Sequence, residues 1–338
     1  MLARNVTAKI VLNGKDITRD VSPYLRSISY EDNLSGEADT VSVDLMDKAR
    51  LFIGDWFAPL GATLNIELIK QNFRGGGATE RLGLGEFEVD EITNSYPPSV
   101  CKIKAVSISQ NSYLRQHNYS KSFENVRLSE IAQEIANAAG LQLFFKAADD
   151  PLISRAEYGE QSTLAFLEKI CADYGLAVKV ADNLLIIFDE TDLEANDAVT
   201  TFDRNNSTIL NFDARATLNE IYGSCEVSYK NSKQAELYKA TFDAPNKTSD
   251  KVLRVNQKVE NQAEAEKLAK KKLRQKNKDA IKINLTVVGS FELLAGNCVE
   301  LKSHGFYDGK YIIEKSTHNV SDDGYTVRFE LRKCLQGY

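Results

Sequence analysis

The sequence is poor in the residues that most enzyme chemistry needs. Three histidines, His117, His304 and His318, are spread over 338 residues, and no two have the spacing of metal ligands. His117 and His318 fall in or beside strand-like patterns and His304 precedes a turn, so each reads as a surface or packing residue. The five cysteines, Cys101, Cys171, Cys225, Cys298 and Cys334, stand singly without a CxxC pair and read as reduced packing side chains. No GxSxG, HExxH or Walker-type phosphate loop occurs, and the glycines of RGGGAT (residues 74–79) lack the lysine and helix that would make them one. Carboxylates do adjoin at Asp149 and Asp150 before Pro151, and at Asp322 and Asp323 before Gly324. Neighbouring carboxylates in a turn serve the turn, whereas glycosidase chemistry needs two that converge from separate segments. The reading is a protein that is not an enzyme, with no catalytic, cofactor-binding or metal-binding residue.

Long apolar runs are missing too. Nothing approaches the roughly 20 residues of a membrane span, and the opening MLARNVTAKIVLNGKD alternates where a signal peptide would be unbroken, so synthesis in a cytoplasm is expected. Positive charge is in deficit: 42 Lys and Arg against 48 Asp and Glu give −6, which argues against a surface that grips nucleic acid over a broad area. Prolines number only six, and 43% of residues are hydrophobic and 27% charged, the composition of packed globular material. At this length two or three domains are expected.

What is abundant is alternation. Val6, Ala8, Ile10 and Leu12, then Val41, Val43 and Leu45, then Leu64, Ile66 and Leu68 take every second position. These are half-buried strands, and with at least five such runs to residue 110 they predict an antiparallel barrel or sandwich. The period then changes. Leu128, Ile131, Ile135 and Ala138 share a helical face that Gly140 ends, and Leu164, Leu167, Ile170, Cys171 and Tyr174 share another between an N-cap at Ser162 and Gly175. Short strands follow each, LQLFF, LAVKV and NLLIIF, which makes a small α/β insert. Beyond residue 200 period two returns, interrupted by a helix over 261–278 with a thin stripe of Ala263, Leu268 and Leu273. Seven basic against two acidic residues give that segment +5. It reads as a solvated helix on a barrel surface or, more sharply, as a docking face of Lys270, Lys271, Arg274 and Lys278 for an acidic partner.

One strand occurs twice. In GEFEVDEITNS and GKYIIEKSTHN, Gly85 matches Gly309, Phe87 matches Tyr311, Val89 matches Ile313 and Thr93 matches Thr317. Each is followed by another alternating strand and preceded by a glycine-led one, GATLNIEL from Gly61 and GNCVELK from Gly296. Three elements in the same order indicate duplication of a β-domain.

This arrangement resembles the phage late control protein D family, the central baseplate hub of contractile tails, and the hub portion of VgrG-type spike proteins. The marks run the length of the chain: DITRDVSPYLRSISYEDNLSGEADTVSVDL, WFAPLGATLNI, LGEFEVDEI, FENVRLSEIAQEIANAAGL, EQSTLAFLEKICADYGL, QAEAEKLAKKKL and FYDGKYIIEKSTHNVSDDGYTVRFELRK. The resemblance implies a mainly β (α+β) fold with two tube-like antiparallel β-barrel domains, residues 1–115 and 201–338, the second with a surface helix at 262–278, around an α/β insert at 116–200. It implies a homotrimer whose six barrels join a six-fold tail tube to a three-fold spike, in a phage tail or related injection particle. Implied partners are a separate spike protein, since the sequence stops at Tyr338 with neither spike nor lysozyme segment, a tail tube or tube-initiator protein, baseplate wedge proteins and a tape measure protein. No membrane partner is implied, and DNA or an effector would meet the hub only in passage, through a lumen expected to be acidic because three chains carry −18.

Interface candidates are Trp56 and Phe57, which either plug the end of their own barrel or touch a neighbouring subunit, and the basic helix face. Two rival functions are a cell-wall (peptidoglycan) binding or degrading tail protein acting through the insert, and a barrel enclosing a small apolar ligand.

Overall fold

The computed structural model describes residues 5–73, 77–107, 113–115, 121–159, 161–181, 183–205, 208–219, 221–231, 236–245, 247, 249–259 and 261–338. Residues 74–76 of the RGGGAT loop and His117 lie outside them. The chain begins with β1 (Asn5–Leu12), β2 (Lys15–Asp16), α1 (Thr18–Val21), β3 (Leu25–Asn33), β4 (Thr40–Met46), β5 (Thr63–Gln71), β6 (Thr79–Ser95) and β7 (Val100–Val106). The middle holds β8 (Lys121–Arg127), α2 (Leu128–Ala139), β9 (Gln142–Lys146), β10 (Leu152–Tyr158), α3 (Thr163–Asp173), β11 (Leu176–Ala181), β12 (Leu184–Asp189) and α4 (Glu190–Ala195). The remainder comprises β13 (Ala198–Asp203), β14 (Ile209–Ala216), β15 (Ser224–Asn231), β16 (Glu236–Asp243), β17 (Val252–Val255), α5 (Gln262–Asn277), β18 (Ile281–Val288), β19 (Cys298–Lys302), β20 (Gly309–Ser321) and β21 (Gly324–Lys333). The fold is mostly β.

The duplication seen in sequence is a duplication of topology. In the first repeat the strands lie side by side in the order β3-β4-β7-β6-β5, and in the second in the order β14-β18-β21-β20-β19. The chain visits both sets in the same sequence, so β3 corresponds to β14, β4 to β18, and β5, β6 and β7 to β19, β20 and β21. Irregularities coincide as well. A bulge shifts the β6–β7 register between Val89 and Glu91, and one shifts β20–β21 between Ile313 and Lys315. Another lies between Leu25 and Ser27 on β3, and its equivalent between Ile209 and Asn211 on β14. Bulges bend strands and raise their twist, so two at matching places give the repeats the same curvature.

The turn into β5 and that into β19 are built alike. Gly61 and Gly296 have φ of +79° and +90°, a region glycine enters without strain. The Gly61 N–H donates to the Val89 carbonyl at 2.8 Å and that of Gly296 to the Ile313 carbonyl at 2.8 Å. Val89 and Ile313 return the bond to Ala62 and Asn297 at 2.9 and 3.0 Å.

The two repeats form one 13-stranded sheet over a shared core that includes Val41, Val43 and Leu45 of β4 and Ile283, Leu285 and Val287 of β18. A one-residue slip of either strand would turn three such side chains to water, at about 1.5–3 kcal/mol each.

The hairpin that joins β3 to β4 directly is replaced in the second repeat by an excursion. Between β14 and β18 the chain lays down the sheet β16-β15-β17, on whose core α5 packs Ala265, Leu268, Ala269 and Leu273. The stripe is thus one step from the expected one: Ala263 is exposed, because it lies two residues, about 200°, from Ala265 round the helix. Between the repeats α2 and α3 cover a core that includes Leu128, Ile131, Leu167 and Ile187. Ser162 caps α3 by accepting the Ala165 N–H at 3.3 Å, and Gly140 ends α2 at φ +71°. Ala138 faces solvent, and Ala132 and Ala136 complete the buried stripe.

Candidate functional site

Among the described residues no group of three or more His, Cys, Asp or Glu could hold a metal ion, and no helix is long and apolar enough to cross a membrane. His318 is fully buried on β20, with Nδ1 2.7 Å from the Tyr325 hydroxyl and Nε2 3.1 Å from the Leu293 carbonyl. A carbonyl only accepts, so Nε2 carries the proton and Nδ1 accepts from Tyr325. Burial holds the ring's pKa down to about 4, and it is a neutral core group. Cys101, Cys171, Cys225 and Cys298 are buried, Cys334 is half-buried, and all five are free thiols.

The candidate features lie in how segments are joined and in which strand edges lack a partner among the described residues. Strand β20 has two neighbours on one side: Gly309–Ile312 pairs with β19, and Lys315–Ser321 pairs antiparallel with Ser27–Asn33 of β3. That second pairing sews the repeats together. Lys315 Nζ bridges it, 2.7 Å from Glu31. The equivalent stretch of β6, Glu91–Ser95, pairs with β7 on one side, while β5 stops at Glu88 on the other. Strand β14 ends the sheet, with β18 as its neighbour.

Two buried charge clusters fix the insert and α5 to this sheet. Lys179 of β11 lies 2.5 Å from Asp32 and 3.3 Å from Asp39, and Asp32 also accepts the Ala295 N–H at 2.8 Å. Insert, first repeat and second repeat meet there. Burial pushes the Asp39 carboxyl up to about 6 against the pull of Lys179. In the second cluster Arg332 of β21, with no exposed surface, lies 2.8 Å from Glu190 and bonds Glu194. Desolvation would raise the Glu190 carboxyl, but Arg332, Lys278 and Arg274 together hold it below the usual range.

The expected basic face divides. Arg274 is buried 2.5 Å from Glu194, and Lys278 lies 3.2 Å from Glu190, so for these two the acidic partner is α4 of the same chain. Lys271 is 3.8 Å from Asp149, and Lys270 is exposed, with its ammonium 5.9 Å from the Phe242 ring centre. Trp56 stacks edge-on against Tyr24 and Phe52, with ring centres 5.9 and 5.8 Å apart. With Phe57 it borders a cavity of about 270 Å³ lined by Ile10, Val43, Leu45 and Leu64 at one end of the first repeat. Both rings keep exposed surface, 42% and 48%. Sequence reasoning missed the seam and both clusters, whose partners come from distant segments. The mixed charge of Glu31 and Lys315 on otherwise alternating strands was the available signal.

A family model described as YQBQ-like matches residues 99–332. The chain belongs to the YQBQ-like family. This YQBQ-like chain is also 28% identical, over 196 residues, to the probable baseplate hub protein of Escherichia phage 186; the match covers 56% of the chain but 46% of that relative, less than half its length. Among solved structures its fold is similar to the tail protein from Neisseria meningitidis MC58, at a TM-score of 0.71 and 14% identity, covering 97% of each chain. It is also similar to an Escherichia coli component of the type VI secretion system described as like bacteriophage T4 tail proteins, at a TM-score of 0.60 and 9% identity, over 100% of this chain and 78% of that one. The fold is that of phage tail and VgrG-like proteins, as the late control protein D resemblance implied.

Proposed function

We propose that this chain is the structural hub of a baseplate, in a contractile phage tail or a related injection particle. Three copies close into a ring of six similar repeats, residues 1–115 and 201–338 of each chain, with 116–200 as the insert between them. One face of the ring meets a six-fold tail tube and the other a three-fold spike. The observation that carries this reading is the shared topology, with bulges and glycine turns at matching places: two units of one shape in one chain are what a threefold assembly needs to present six neighbours. The relative in phage 186 supports it. The proposed partners are a second and third copy, a spike protein, a tail tube or tube-initiator protein, wedge proteins and a tape measure protein. The role is mechanical, not enzymatic, and the protein is placed in the assembled particle.

A strongly acidic lumen does not follow from the net charge. On the sheet face opposite the core, Asp44 stands across from Lys102, and Glu31 beside Lys315, so acid and base alternate. Among the described residues one aromatic ring of the insert, Phe144, is largely exposed, a thin basis for glycan binding.

The test is co-assembly. The purified chain, mixed with tube and spike proteins from the same gene cluster, is expected to form a complex holding three hubs, and not to sediment with purified peptidoglycan. Sedimentation with peptidoglycan and no complex would overturn the reading.

A further inference from the structure

The chain shows once, internally, how its repeats join, and the same junction can be written for the two edges that have no partner strand among the described residues. Cross-strand partners fix the equivalences. Lys315, Thr317 and Asn319 of β20 occupy the places of Glu91, Thr93 and Ser95 of β6, counted from the shared bulge. Ser29 and Glu31 of β3 occupy the places of Asp213 and Arg215 of β14, counted from theirs. At the internal seam Thr317 is opposite Glu31 and Lys315 reaches diagonally to that carboxylate. Carried to the open edges, Thr93 falls opposite Arg215 and Glu91 lies on the diagonal. The two positions that make the internal ion pair are again oppositely charged, with both signs exchanged.

The geometry points to an intermolecular strand pairing in which β14 of one chain docks antiparallel onto Glu91–Ser95 of β6 in the next copy. It rests on the ring reading above and names the surface by which the ring closes. Pairing leaves a mark at the internal seam, where Ser316 and His318 of β20 have no exposed surface. At the equivalent open edge Thr93, Asn94 and Ser95 are exposed and Ile92 half-buried. Thr93 Oγ1 donates to Glu91 at 3.2 Å, which keeps the carboxylate on that edge. Large apolar side chains flank both edges, Tyr96 at 83% exposure just past β6 and Leu210 at 55% on β14, as expected of surfaces that a partner covers. Open strand edges invite promiscuous pairing, and the exchanged charges oppose it. Were β14 to displace β3 from β20, Arg215 would face Lys315, and were β3 to pair with β6, Glu31 would face Glu91. Like charges on the diagonal disfavour both errors, while the proposed partner satisfies both.

Native mass spectrometry against protein concentration tests the pairing with Glu91→Lys, Arg215→Glu and the two combined. Each single exchange is expected to raise the concentration for half-assembly at least about tenfold, and the double exchange to restore it. Unchanged assembly in the singles, or no recovery in the double, would overturn the proposal. A second variant, Ile92→Cys with Ala216→Cys, places thiols at facing positions and should give, on mild oxidation, bands up to three linked chains that the parent lacks. A trimer without those links refutes this pairing and leaves the ring reading standing. A chain that is monomeric throughout refutes both.

Discussion

Lys315 of β20 lies 2.7 Å from Glu31 of β3, and this ion pair straddles the line along which two repeats become one sheet. Both side chains keep about a third of their surface in water, 28% and 32%, so the pair adds little stability, ~1 kcal/mol at most. The backbone pairing from Ser27 to Asn33 and the buried contacts beneath it hold the seam. Lys315→Ala is expected to cost no more than about 1 kcal/mol in urea denaturation. A loss of 3 kcal/mol or so would make the pair a pillar of the fold and not a guide to register.

Arg332 is the opposite case. It has no exposed surface and faces Glu190 and Glu194, two nearly buried carboxylates that also serve Arg274 and Lys278. Removing a buried cation leaves buried charge uncompensated, at about 3–5 kcal/mol. Arg332→Met should lower stability by that amount, and adding Glu194→Gln should return part of it. Stability close to the parent's in Arg332→Met would show that water reaches the cluster.

His318 makes stability depend on pH. Its folded pKa of about 4 lies below the ordinary 6.5, so between those values the unfolded chain binds the extra proton. The neutral ring's contribution is therefore whole above pH 6.5, declines as pH falls, and is lost by about pH 4, a change of about 3 kcal/mol. Asp39, raised to about 6, works in the other sense, stabilising the fold as pH falls. The comparison with His318→Gln isolates the histidine: from pH 6.5 to 4 the parent should lose about 3 kcal/mol more than the variant. Parallel pH curves would place a charged or solvated ring at this position.

Gly61 and Gly296 should respond alike to alanine, because they occupy one turn made twice. Their positive φ makes a side chain unfavourable by roughly 1–2 kcal/mol. An added Cβ at Gly61 meets nothing within 4 Å, whereas at Gly296 it touches Leu193 and Leu34 at 3.4 Å, so Gly296→Ala should cost at least as much. Thermal melts of both variants check this: destabilisation in one variant and none in the other would break the equivalence of the turns, and none in both would contradict the cost of a side chain at positive φ.

Sequence pattern carried far where neighbours in the chain are neighbours in space. The alternation of Val41, Val43 and Leu45, the Ser162 cap and the Gly61 and Gly296 pair were all readable, because each is decided within a few residues. The equivalence of β3–β4 to β14–β18 was not, because β15–β17 and α5 separate the second pair. Ala138 and Ala263 were misplaced since alanine sits comfortably on either face of a helix. The basic face of α5 looked solvated because the carboxylates that meet Arg274 and Lys278 come from α4, a distant short helix whose acidity alone says nothing of its place. Open edges of β6 and β14 are invisible to pattern altogether, since an unpaired strand reads like a paired one.

The central claim is that two repeats per chain serve a threefold ring, and the mass and symmetry of the native protein test it most directly. Native mass spectrometry with averaged electron-microscope views should give three times the 37.7 kDa of one chain, in a ring with six similar lobes around one axis. A single chain at every concentration and in the presence of a spike protein, or a two-fold dimer without a central opening, would contradict the account.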